Sequence, residues 1–527
     1  MKLNNFFIKY SILFIVFITA CESTSNPLKS SEEYKFLRQP NNIYFTILQL
    51  NDVYEIAPIQ GNKYGGMARV SALYRELQKE NPNSMLVLAG DFLNPSLLGT
   101  MKVNGERVRG KQMVEVMNAM NFDLVAFGNH EFDLSYNDLQ NRLNESHFEW
   151  LSANVFHKEN GKNHFFYKVI EGKKEAVNET YIQEYNVGGK SVKIGFISVC
   201  IPSNPKSYVY YSDMYAEAER TYNELKDKVD IVLGLTHVKI EEDKKIAKLL
   251  PNVPLIMGGH EHNNMYVKQG NTYIAKADAN AKTVYIHRFE FNPNTKELKF
   301  KSELKTINDK FPVDEKVNVV VEKWQNLLNT KIKDLVDNPD EIIYKTSEPL
   351  DARDTPIRSV QTNMGQIIAE SMSKSYGDKT IDCAFVNGGS VRIDDILEGN
   401  INAVDIFRVL PYGGPVLKVK LKGKLLKEVL DFGDKASGTG AYLQRFNVAR
   451  NDKGYWLVKE QKIDPNKVYT IATSDYLLKG FDIPFLKNSN PQVLDVYGPK
   501  TGEIAVDVRK AVIEFLKSKQ FILNKSK

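Results

Sequence analysis

The stretch Leu124-Val125-Ala126-Phe127-Gly128-Asn129-His130-Glu131 joins a short apolar run to a glycine and a polar group. Such a run followed by such a turn indicates a buried strand. The same succession recurs at 44–50 before Asp52, at 84–88 before Gly90-Asp91, at 231–235 before Thr236-His237, and at 254–257 before Gly258-Gly259-His260-Glu261-His262. Because ligand sites in open α/β sheets lie at the carboxyl ends of strands, these polar residues are expected to meet.

Helical spacing of apolar residues separates several of these strands, at 70–79 and at 111–120. Strands that alternate with helices predict an α/β fold, with helices packed against a sheet. From 283 to 300 the apolar residues alternate as in antiparallel strands. The run at 317–336 has helical spacing and stops before Asn338-Pro339, so we expect a helix that leads to a second α/β region at 342–522.

Composition restricts the class of protein. The chain has 527 residues, a net charge of +5, 42% hydrophobic residues and 26% charged residues, which is typical of a globular protein. Its length predicts two or more domains, because single cores stop growing at roughly 250 to 300 residues. A charge so close to zero argues against a nucleic-acid polymer as partner. Cys21, Cys200 and Cys383 are too far apart for a disulfide framework or a zinc knuckle, so His, Asp and Asn must hold any metal.

The N-terminus carries an export signal. Lys2 and Lys9 precede an apolar run, and Thr19-Ala20-Cys21 follows it, which is typical of a secretory signal peptide over 1–20. Cys21 resembles the lipid-modified cysteine of bacterial lipoproteins, which implies a membrane anchor and the tether 21–42 behind it. An uncleaved transmembrane segment is the alternative, but the run is shorter than the roughly 20 residues that a span needs.

The polar residues that close the apolar runs include seven of metal-binding type: Asp52, Asp91, Asn129, His130, His237, His260 and His262. Oxygen and imidazole donors on a rigid scaffold suit two hard or borderline divalent cations. For any one of these residues, a turn residue or a strand cap is the alternative interpretation. Taken together, they favour a metal site.

The order of these motifs resembles the calcineurin-like metallophosphoesterases. Three further motifs are similar to the C-terminal domain of the bacterial 5′-nucleotidase and UDP-sugar hydrolase family: Val360-Gln361-Thr362-Asn363-Met364-Gly365, Asn387-Gly388-Gly389-Ser390-Val391-Arg392 and Leu410-Pro411-Tyr412-Gly413. The resemblance implies a four-layer αββα sandwich at 43–312, a linking helix at 313–340 and a C-terminal α/β substrate-binding domain at 341–523.

The resemblance also implies the roles of the metal ligands. Asp91 would bridge two divalent ions, of which Zn, Mn, Mg and Co are candidates. Asn129, His237 and His260 would complete one site, and Asp52 and His262 would serve the other. Two such ions activate water and hold a phosphoryl group for in-line attack.

His130 follows a ligand directly, and the resemblance gives it the stabilisation of the transition state and of the leaving oxygen. Asp133 would orient its ring, and a helix N-cap is the alternative for this acid. Glu131 and Glu261 stand between ligands and are expected to be solvated or to support the ligands from behind.

Tyr54 departs from the family pattern, which has Asp-x-His where this chain has Asp52-Val53-Tyr54. Residues two apart on a strand share a face, so Tyr54 is expected beside Asp52. Three interpretations remain open. Tyr54 binds a metal as phenolate, donates a hydrogen bond to water or substrate, or packs beside an inactive site.

The C-terminal domain would bind the rest of the substrate. By resemblance, Arg392 and Arg358 would contact phosphate, because a guanidinium meets two phosphate oxygens at once. Asn387 would add a polar contact, Gly389 a close backbone approach, and Arg353 a third cation.

The aromatic pair that the family places around the base is displaced in this chain. Phe446 and Phe485 each follow the family's aromatic position by one residue, so these two rings and Phe481 are the candidate stackers, with core packing as the alternative.

Two functions remain open. The first is a cell-envelope, lipid-anchored phosphohydrolase that releases phosphate from 5′-nucleotides or splits nucleotide diphosphate sugars. The alternative is a surface lipoprotein of the same fold that acts by binding and has reduced or lost catalysis. Neither choice fixes the oligomeric state or the membrane leaflet.

Overall fold

A computed structural model describes residues 26–203, 206–333, 336–339, 341–377 and 380–525. The predicted signal peptide and Cys21 lie outside these residues. Within them, no helix has the length and apolar character needed to cross a membrane.

Three large sheets organise the part of the chain that the structure describes. Their strands are β1 (Ile43–Leu50), β2 (Ser84–Ala89), β3 (Leu124–Ala126), β4 (Glu149–Leu151), β5 (Thr180–Val187), β6 (Lys190–Ile197), β7 (Ile231–Thr236), β8 (Leu255–Gly258), β9 (Met265–Gln269), β10 (Thr272–Lys276), β11 (Thr283–Phe291), β12 (Leu298–Thr306), β13 (Cys383–Asn387), β14 (Val416–Lys422), β15 (Leu443–Phe446), β16 (Val468–Ser474) and β17 (Val493–Tyr497). Shorter strands are Lys102–Val103, Glu106–Arg107, Val155–Glu159, Lys162–His164, Tyr167–Ile170, Lys173–Ala176, Val209–Tyr211, Ile342–Lys345, Leu350–Asp351, Ile396–Leu397, Asn400–Asn402, Val448–Arg450, Trp456–Val458 and Gln461–Lys462.

The longer helices are α1 (Met67–Glu80), α2 (Lys111–Met120), α3 (Tyr136–Glu145), α4 (Met214–Leu225), α5 (Ile240–Leu249), α6 (Glu315–Lys333), α7 (Asn363–Lys374), α8 (Ala403–Val409), α9 (Gly423–Lys435) and α10 (Val508–Lys525). Short helical turns are Glu32–Tyr34, Leu97–Thr100, His130–Asp133, Asp354–Ile357, Gly388–Ser390, Asp475–Leu478 and Ile504–Val506.

The N-terminal domain contains two sheets, with the strand orders β12-β11-β1-β2-β3-β4 and β5-β6-β7-β8-β10-β9. Their inner faces meet in an apolar layer that includes Phe45, Val87, Phe196 and Leu233. Helices α1 and α2 pack on the outside of the first sheet, and α4 and α5 on the outside of the second. This is the expected four-layer αββα sandwich.

In each sheet the neighbouring strands that precede the site are parallel. β1, β2 and β3 run parallel in one sheet, as do β7 and β8 in the other. Their carboxyl ends therefore open at one edge of the sandwich, where the predicted ligands follow.

Helix α6 belongs with the first sheet. The buried face of α6 includes Val317, Trp324 and Leu328, and α6 packs on α1 and α2. Trp324 Nε1 donates a hydrogen bond to Glu115 Oε2 at 2.9 Å, which fixes the helix on α2.

The C-terminal domain is built on the sheet β15-β13-β16-β14-β17. Helices α7 and α10 pack on one face, and α9 packs on the other with residues such as Leu426 and Leu430. The second α/β region is therefore present as expected.

The described part of the predicted tether lies against the N-terminal domain. Ser30 is buried and accepts a hydrogen bond from Arg288 at 2.6 Å, and Lys301 donates to the carbonyls of Glu33 and Lys35. Residues 26–42 therefore do not form a free tether, because β11 and β12 supply partners for their polar groups.

Candidate active site

The structure brings three predicted ligands of the first site into one cluster. One donor atom from each of Asp52, Asp91 and His262 lies within 4.8 Å of the other two. Both carboxylates are buried, and the His262 side chain is 13% exposed. Oxygen and imidazole donors that converge in this way are suited to a divalent cation.

The predicted second site shares Asp91 with the first. The Oδ1 atom of Asp91 accepts a hydrogen bond from the backbone N–H of His130 at 2.8 Å, and Oδ2 lies 3.1 Å from His237 Nε2. His237 Nδ1 donates to the Ala89 carbonyl at 2.8 Å, so Nε2 is the ring atom that faces Asp91. The ring of His260 is 5.3 Å from that of His237.

The turns after the strands have unusual backbone geometry. Asp52, Asp91, His260 and His262 have positive φ values of 53°, 59°, 92° and 60°. Such values are uncommon for residues with a side chain, and they cluster at functional sites. They let the chain reverse sharply while the side chains point into the site.

Glycines allow the turns to approach one another closely. A Cβ atom at Gly128 would overlap the Asp91 carboxylate, and one at Gly259 would overlap the Ala89 carbonyl. The glycines of these motifs are therefore required by packing.

The donor atoms fit a bound metal. Asp52 Oδ1, Asn129 Oδ1 and His237 Nε2 are buried and make no hydrogen bond among the described residues, and the two charged atoms have only ion-pair contacts with His262 and Asp91. Buried polar atoms normally have a partner, and a cation would satisfy all three. These residues therefore fit the divalent metals that the sequence predicts.

Electrostatics in the site also favour a cation. Burial raises the pKa of Asp91, but His237 and His130 outweigh burial and hold that pKa below its usual value. Burial and the nearby His237 lower the pKa of His260 to about 3, so its ring is a neutral donor at pH 7. Burial lowers the pKa of His237, yet Asp91 and Asp52 raise it to about 9. The acids thus attract positive charge.

Tyr54 points into the site. Its hydroxyl lies 3.2 Å from Asp91 Oδ2 and 3.0 Å from His262 Nε2, and the residue is 5% exposed. Burial and the charge of Asp91 raise the pKa of Tyr54 well above 10, so the phenol is protonated. The hydroxyl thus contacts two predicted ligands, Asp91 and His262, and its hydrogen bond to water or substrate stays a prediction.

His130 and Asp133 form a pair beside the cluster. His130 Nδ1 lies 2.7 Å from Asp133 Oδ2, and Asn94 Nδ2 donates to the same oxygen at 3.1 Å. Asp133 ends a helical turn, and Ser135 caps α3 by accepting from the N–H of Asp138. The N-cap alternative for Asp133 is therefore wrong.

Glu131 supports the turn that carries Asp91. It is fully buried, and its two oxygens accept four backbone hydrogen bonds, at 2.7 to 3.0 Å, from Asp91, Phe92, Leu93 and Gly128. Burial and the charge of Asp91 raise its pKa to about 7. The sequence left open whether Glu131 is solvated, and the structure places it behind the ligands.

Lys276 supports the second pair of turns, and no local sequence signal marks it. Its buried ammonium donates to the carbonyls of Val238 and Gly259 at 2.6 and 2.8 Å and pairs with Asp243 at 2.8 Å. Val238 and Gly259 adjoin His237 and His260 in the chain, so Lys276 fixes the positions of both histidines.

The C-terminal domain provides a cavity of about 540 Å³ next to this cluster. The predicted residues Arg358, Asn387, Gly389 and Arg392 line it. Arg392 Nη2 is 3.6 Å from Asp133 Oδ2, so one cation of the cavity lining also contacts the acid that pairs with His130.

Aromatic residues of the cavity differ from those expected. Tyr412 and Tyr476 line it, with the Tyr476 hydroxyl donating to Asp482 at 2.9 Å. Tyr412 stands within the motif Leu410-Pro411-Tyr412-Gly413, so a sequence signal for one of these rings was present.

Phe446, Phe485 and Arg353 do not line this cavity. Phe446 packs against the core beneath α7, and Phe485 packs on Phe432 at a ring distance of 5.6 Å. The prediction of these phenylalanines as stackers is wrong, because their strand and loop direct them into the core. Arg353 is paired with Asp351 at 2.8 Å and lines a separate cleft beside His260 and His262.

One residue of the C-terminal domain reaches the ligands themselves. Asp394 Oδ2 lies 2.6 Å from His262 Nδ1. Asp394 could not be found from the sequence, because no local pattern brings a residue of the second domain to the end of β8.

Two family models match the chain. A model described as calcineurin-like phosphoesterase matches residues 45–264, and one described as 5′-nucleotidase, C-terminal domain, matches residues 342–487.

Similar proteins span both regions. The chain is 28% identical over 462 residues to the trifunctional nucleotide phosphoesterase protein YfkN of Bacillus subtilis, covering 79% of this chain and 31% of that protein. It is 26% identical over 475 residues to the 5′-nucleotidase of Bos taurus, covering 79% and 78%. The crystal structure of a 5′-nucleotidase precursor from Thermus thermophilus matches with a TM-score of 0.64 and 21% identity, covering 91% and 97%, which shows the shared fold.

Proposed function

Since the chain belongs to the family that joins a calcineurin-like phosphoesterase domain to a 5′-nucleotidase C-terminal domain, and is a phosphoester hydrolase, we propose that it hydrolyses 5′-nucleotides or nucleotide diphosphate sugars. The names of the similar proteins support a nucleotide substrate. The two-metal requirement and the roles of individual residues are part of this proposal.

The position of Arg392 is the observation that supports this proposal most directly. Arg392 lines the C-terminal cavity and also lies 3.6 Å from the acid that holds His130. A substrate with its phosphate at Arg392 therefore has its ester bond next to His130 and the metal ligands. A single molecule can thus occupy the cavity and reach the reactive groups.

The protein's own groups have distinct tasks. Asp52, Asp91, Asn129, His237, His260 and His262 would hold two divalent ions, with Tyr54 as a hydrogen-bond donor to the set. Such ions activate water and neutralise phosphoryl charge when bound.

His130 is positioned to stabilise charge on the leaving oxygen and to supply its proton. Asp133 holds the ring through Nδ1, which leaves Nε2 to face the substrate. Burial lowers the pKa of His130, but Asp91 and Asp133 raise it above its usual value, which favours the protonated ring that a general acid requires.

The cavity is suited to the remainder of a nucleotide. Arg358 and Arg392 offer guanidinium groups to phosphate, and each has a buried Nε without a partner among the described residues. Tyr412 and Tyr476 are 54% and 40% exposed and offer ring faces for a base.

Phosphate release from a panel of 5′-nucleotides, nucleotide diphosphate sugars and small phosphate esters tests the substrate class. His130→Ala is expected to lower kcat by about a hundredfold or more. Arg392→Ala is expected to raise KM for nucleotides. Arg450, a half-exposed surface arginine paired with Asp434, provides a matched control as Arg450→Ala. Absence of release from every nucleotide by the metal-loaded protein would contradict the proposal and favour a binding role.

Export and lipid anchoring in the bacterial cell envelope form the last part of the proposal, supported by the sequence around Cys21. Cys21→Ser is expected to move the protein out of the detergent phase, because acyl chains supply the membrane affinity. Continued partitioning of that variant would indicate an uncleaved apolar segment instead.

A further inference from the structure

His262 lies between the two domains, with one ring nitrogen facing each. Nε2 is 3.2 Å from Asp52 Oδ1 and 3.0 Å from the Tyr54 hydroxyl, on the side of the N-terminal domain. Nδ1 is 2.6 Å from Oδ2 of Asp394, which belongs to the C-terminal domain, in an ion-pair contact that lies outside hydrogen-bond geometry. The ring therefore connects the predicted first metal site to an acid that is far along the chain.

Asp394 is held in this position by its own domain. The backbone N–H of Asp354 donates to Asp394 Oδ1 at 2.6 Å, and Asp394 has a positive φ of 45°. The next residue, Asp395, pairs with Lys282 of the N-terminal domain at 2.8 Å. The carboxylate that meets His262 is thus held by its own domain, and the residue that follows it is paired with the N-terminal domain.

The contact with Asp394 determines which ring nitrogen of His262 carries the proton when the ring is neutral. A neutral ring has one N–H and one lone pair, and a carboxylate at Nδ1 stabilises the proton there. The lone pair is then on Nε2, which faces Asp52 and Tyr54. A carboxylate behind a ligating histidine orients the ring and increases its basicity.

The predicted first site has one imidazole ligand, His262, whereas the predicted second site has two. Loss of His262 would therefore affect the first site more than loss of one histidine would affect the second. Asp52, Tyr54, Asp91 and His262 contain one imidazole, whereas His237 and His260 both face the second site. If the His262 ring turned away, the first site would lose its imidazole donor and keep oxygen donors.

We propose that Asp394 is a positioning residue, which makes the C-terminal domain complete the first metal site by holding His262 with Nε2 toward Asp52. The inference rests on the proposed function in that it takes these ligands to bind metal. It assigns to the domain interface a role in metal affinity, in addition to its role in enclosing substrate.

Titration of the metal-stripped full-length protein with Mn²⁺ tests this proposal, with free Mn²⁺ followed by electron paramagnetic resonance. Asp394→Ala is expected to weaken one of two Mn²⁺ ions by about 10- to 100-fold and to leave the other unchanged. Glu398→Gln is the matched control, since it neutralises an exposed acid of the same segment that does not contact His262.

Two further measurements separate positioning from general support of the fold. In a His262→Ala background, Asp394→Ala should cause no additional loss of Mn²⁺ affinity, because the two residues act as one unit. The visible spectrum of Co²⁺ in the weakened site should also change in Asp394→Ala. If that variant does not fold, Asp394→Asn replaces it, because the amide oxygen can still accept from Asp354.

The outcomes are distinct. The positioning role would be overturned if Asp394→Ala bound both ions as tightly as wild type does, or if it weakened both ions equally. Either result would leave the proposed function intact. A wild-type protein that binds no Mn²⁺ and releases no phosphate would overturn both.

Discussion

At the scale of single residues, Tyr54 separates this chain from the pattern it otherwise follows. Its hydroxyl contacts Asp91 and His262, so Tyr54→Phe removes a donor from a buried carboxylate. We expect kcat/KM for nucleotides to fall about 10- to 150-fold, since hydrogen bonds to charged groups contribute about 1.5 to 3 kcal/mol. Tyr54→His should increase phosphate release at limiting metal and have no effect at saturating metal.

Steady-state kinetics across a metal titration check both variants. Unchanged kinetics in Tyr54→Phe would favour the packing interpretation, and loss of nearly all activity would favour a phenolate ligand. A Tyr54→His variant with less bound metal than wild type would show that the site is built around the phenol.

The buried hydrogen bonds of Glu131 predict that this residue stabilises the fold. An amide in place of its carboxylate has one acceptor oxygen, so two of the four backbone N–H groups would face an NH₂ group. Glu131→Gln is expected to lower the free energy of unfolding by about 2 to 6 kcal/mol, from about 1 to 3 kcal/mol for each of the two unpaired buried groups. Urea unfolding measures this, with exposed Glu106→Gln as control. A loss as small as that of the control would contradict the structural role of Glu131.

The predicted metal ligands could be identified from the sequence, but the residues that hold those ligands in position could not. Asp91 and His237 each end an apolar run, which is a local pattern. Lys276 and Asp394 act through contacts with residues that are distant in the chain, at Val238 and His262. Nothing in their own neighbourhoods marks them.

At the scale of strands and helices, periodicity predicted the elements well and side-chain direction less well. The helix at 111–120 and the strand at 84–89 lie where the apolar pattern placed them, because the helix has one buried face and the strand is a short apolar run that is buried on both faces. Phe446 shares its face of β15 with Gln444, which binds the carbonyls of Ile357 and Val360 beneath α7. That direction follows from the pairing of β15 with β13, which the sequence did not show.

Strand β11 carries a buried histidine that makes stability depend on pH. His287 lies between Ser302 and Gln49, and burial lowers its pKa to about 3. The unfolded chain, with a pKa of about 6.5, binds a proton that the folded ring excludes, so stability falls as pH decreases below about 6.5 and continues to fall toward about 3.

His287→Gln removes this titration and keeps a donor and an acceptor. Between pH 7 and pH 5, the variant should lose about 2 kcal/mol less unfolding free energy than wild type, since one proton is bound over that range. Denaturant unfolding at the two pH values measures the difference. Identical losses in the two proteins would show that His287 is protonated in the folded state.

At the scale of the whole molecule, the site is shared between two domains. The N-terminal sandwich supplies the predicted metal ligands, and the C-terminal domain supplies Arg358 and Arg392 together with Asp394. The motifs of both halves predicted two domains and a linking helix. The contact of Asp394 with His262 depends on how the domains pack, so sequence patterns within either half contained no sign of it.

Phosphate release from AMP, measured as Mn²⁺ is returned stepwise to the metal-stripped protein, tests the central claim of a two-metal phosphohydrolase most directly. We expect release to rise with added metal and to level off at about two equivalents, and we expect folded Asp91→Asn to release none, because Asp91 would serve both ions. Full release by the metal-stripped protein, or wild-type release by Asp91→Asn, would contradict the account.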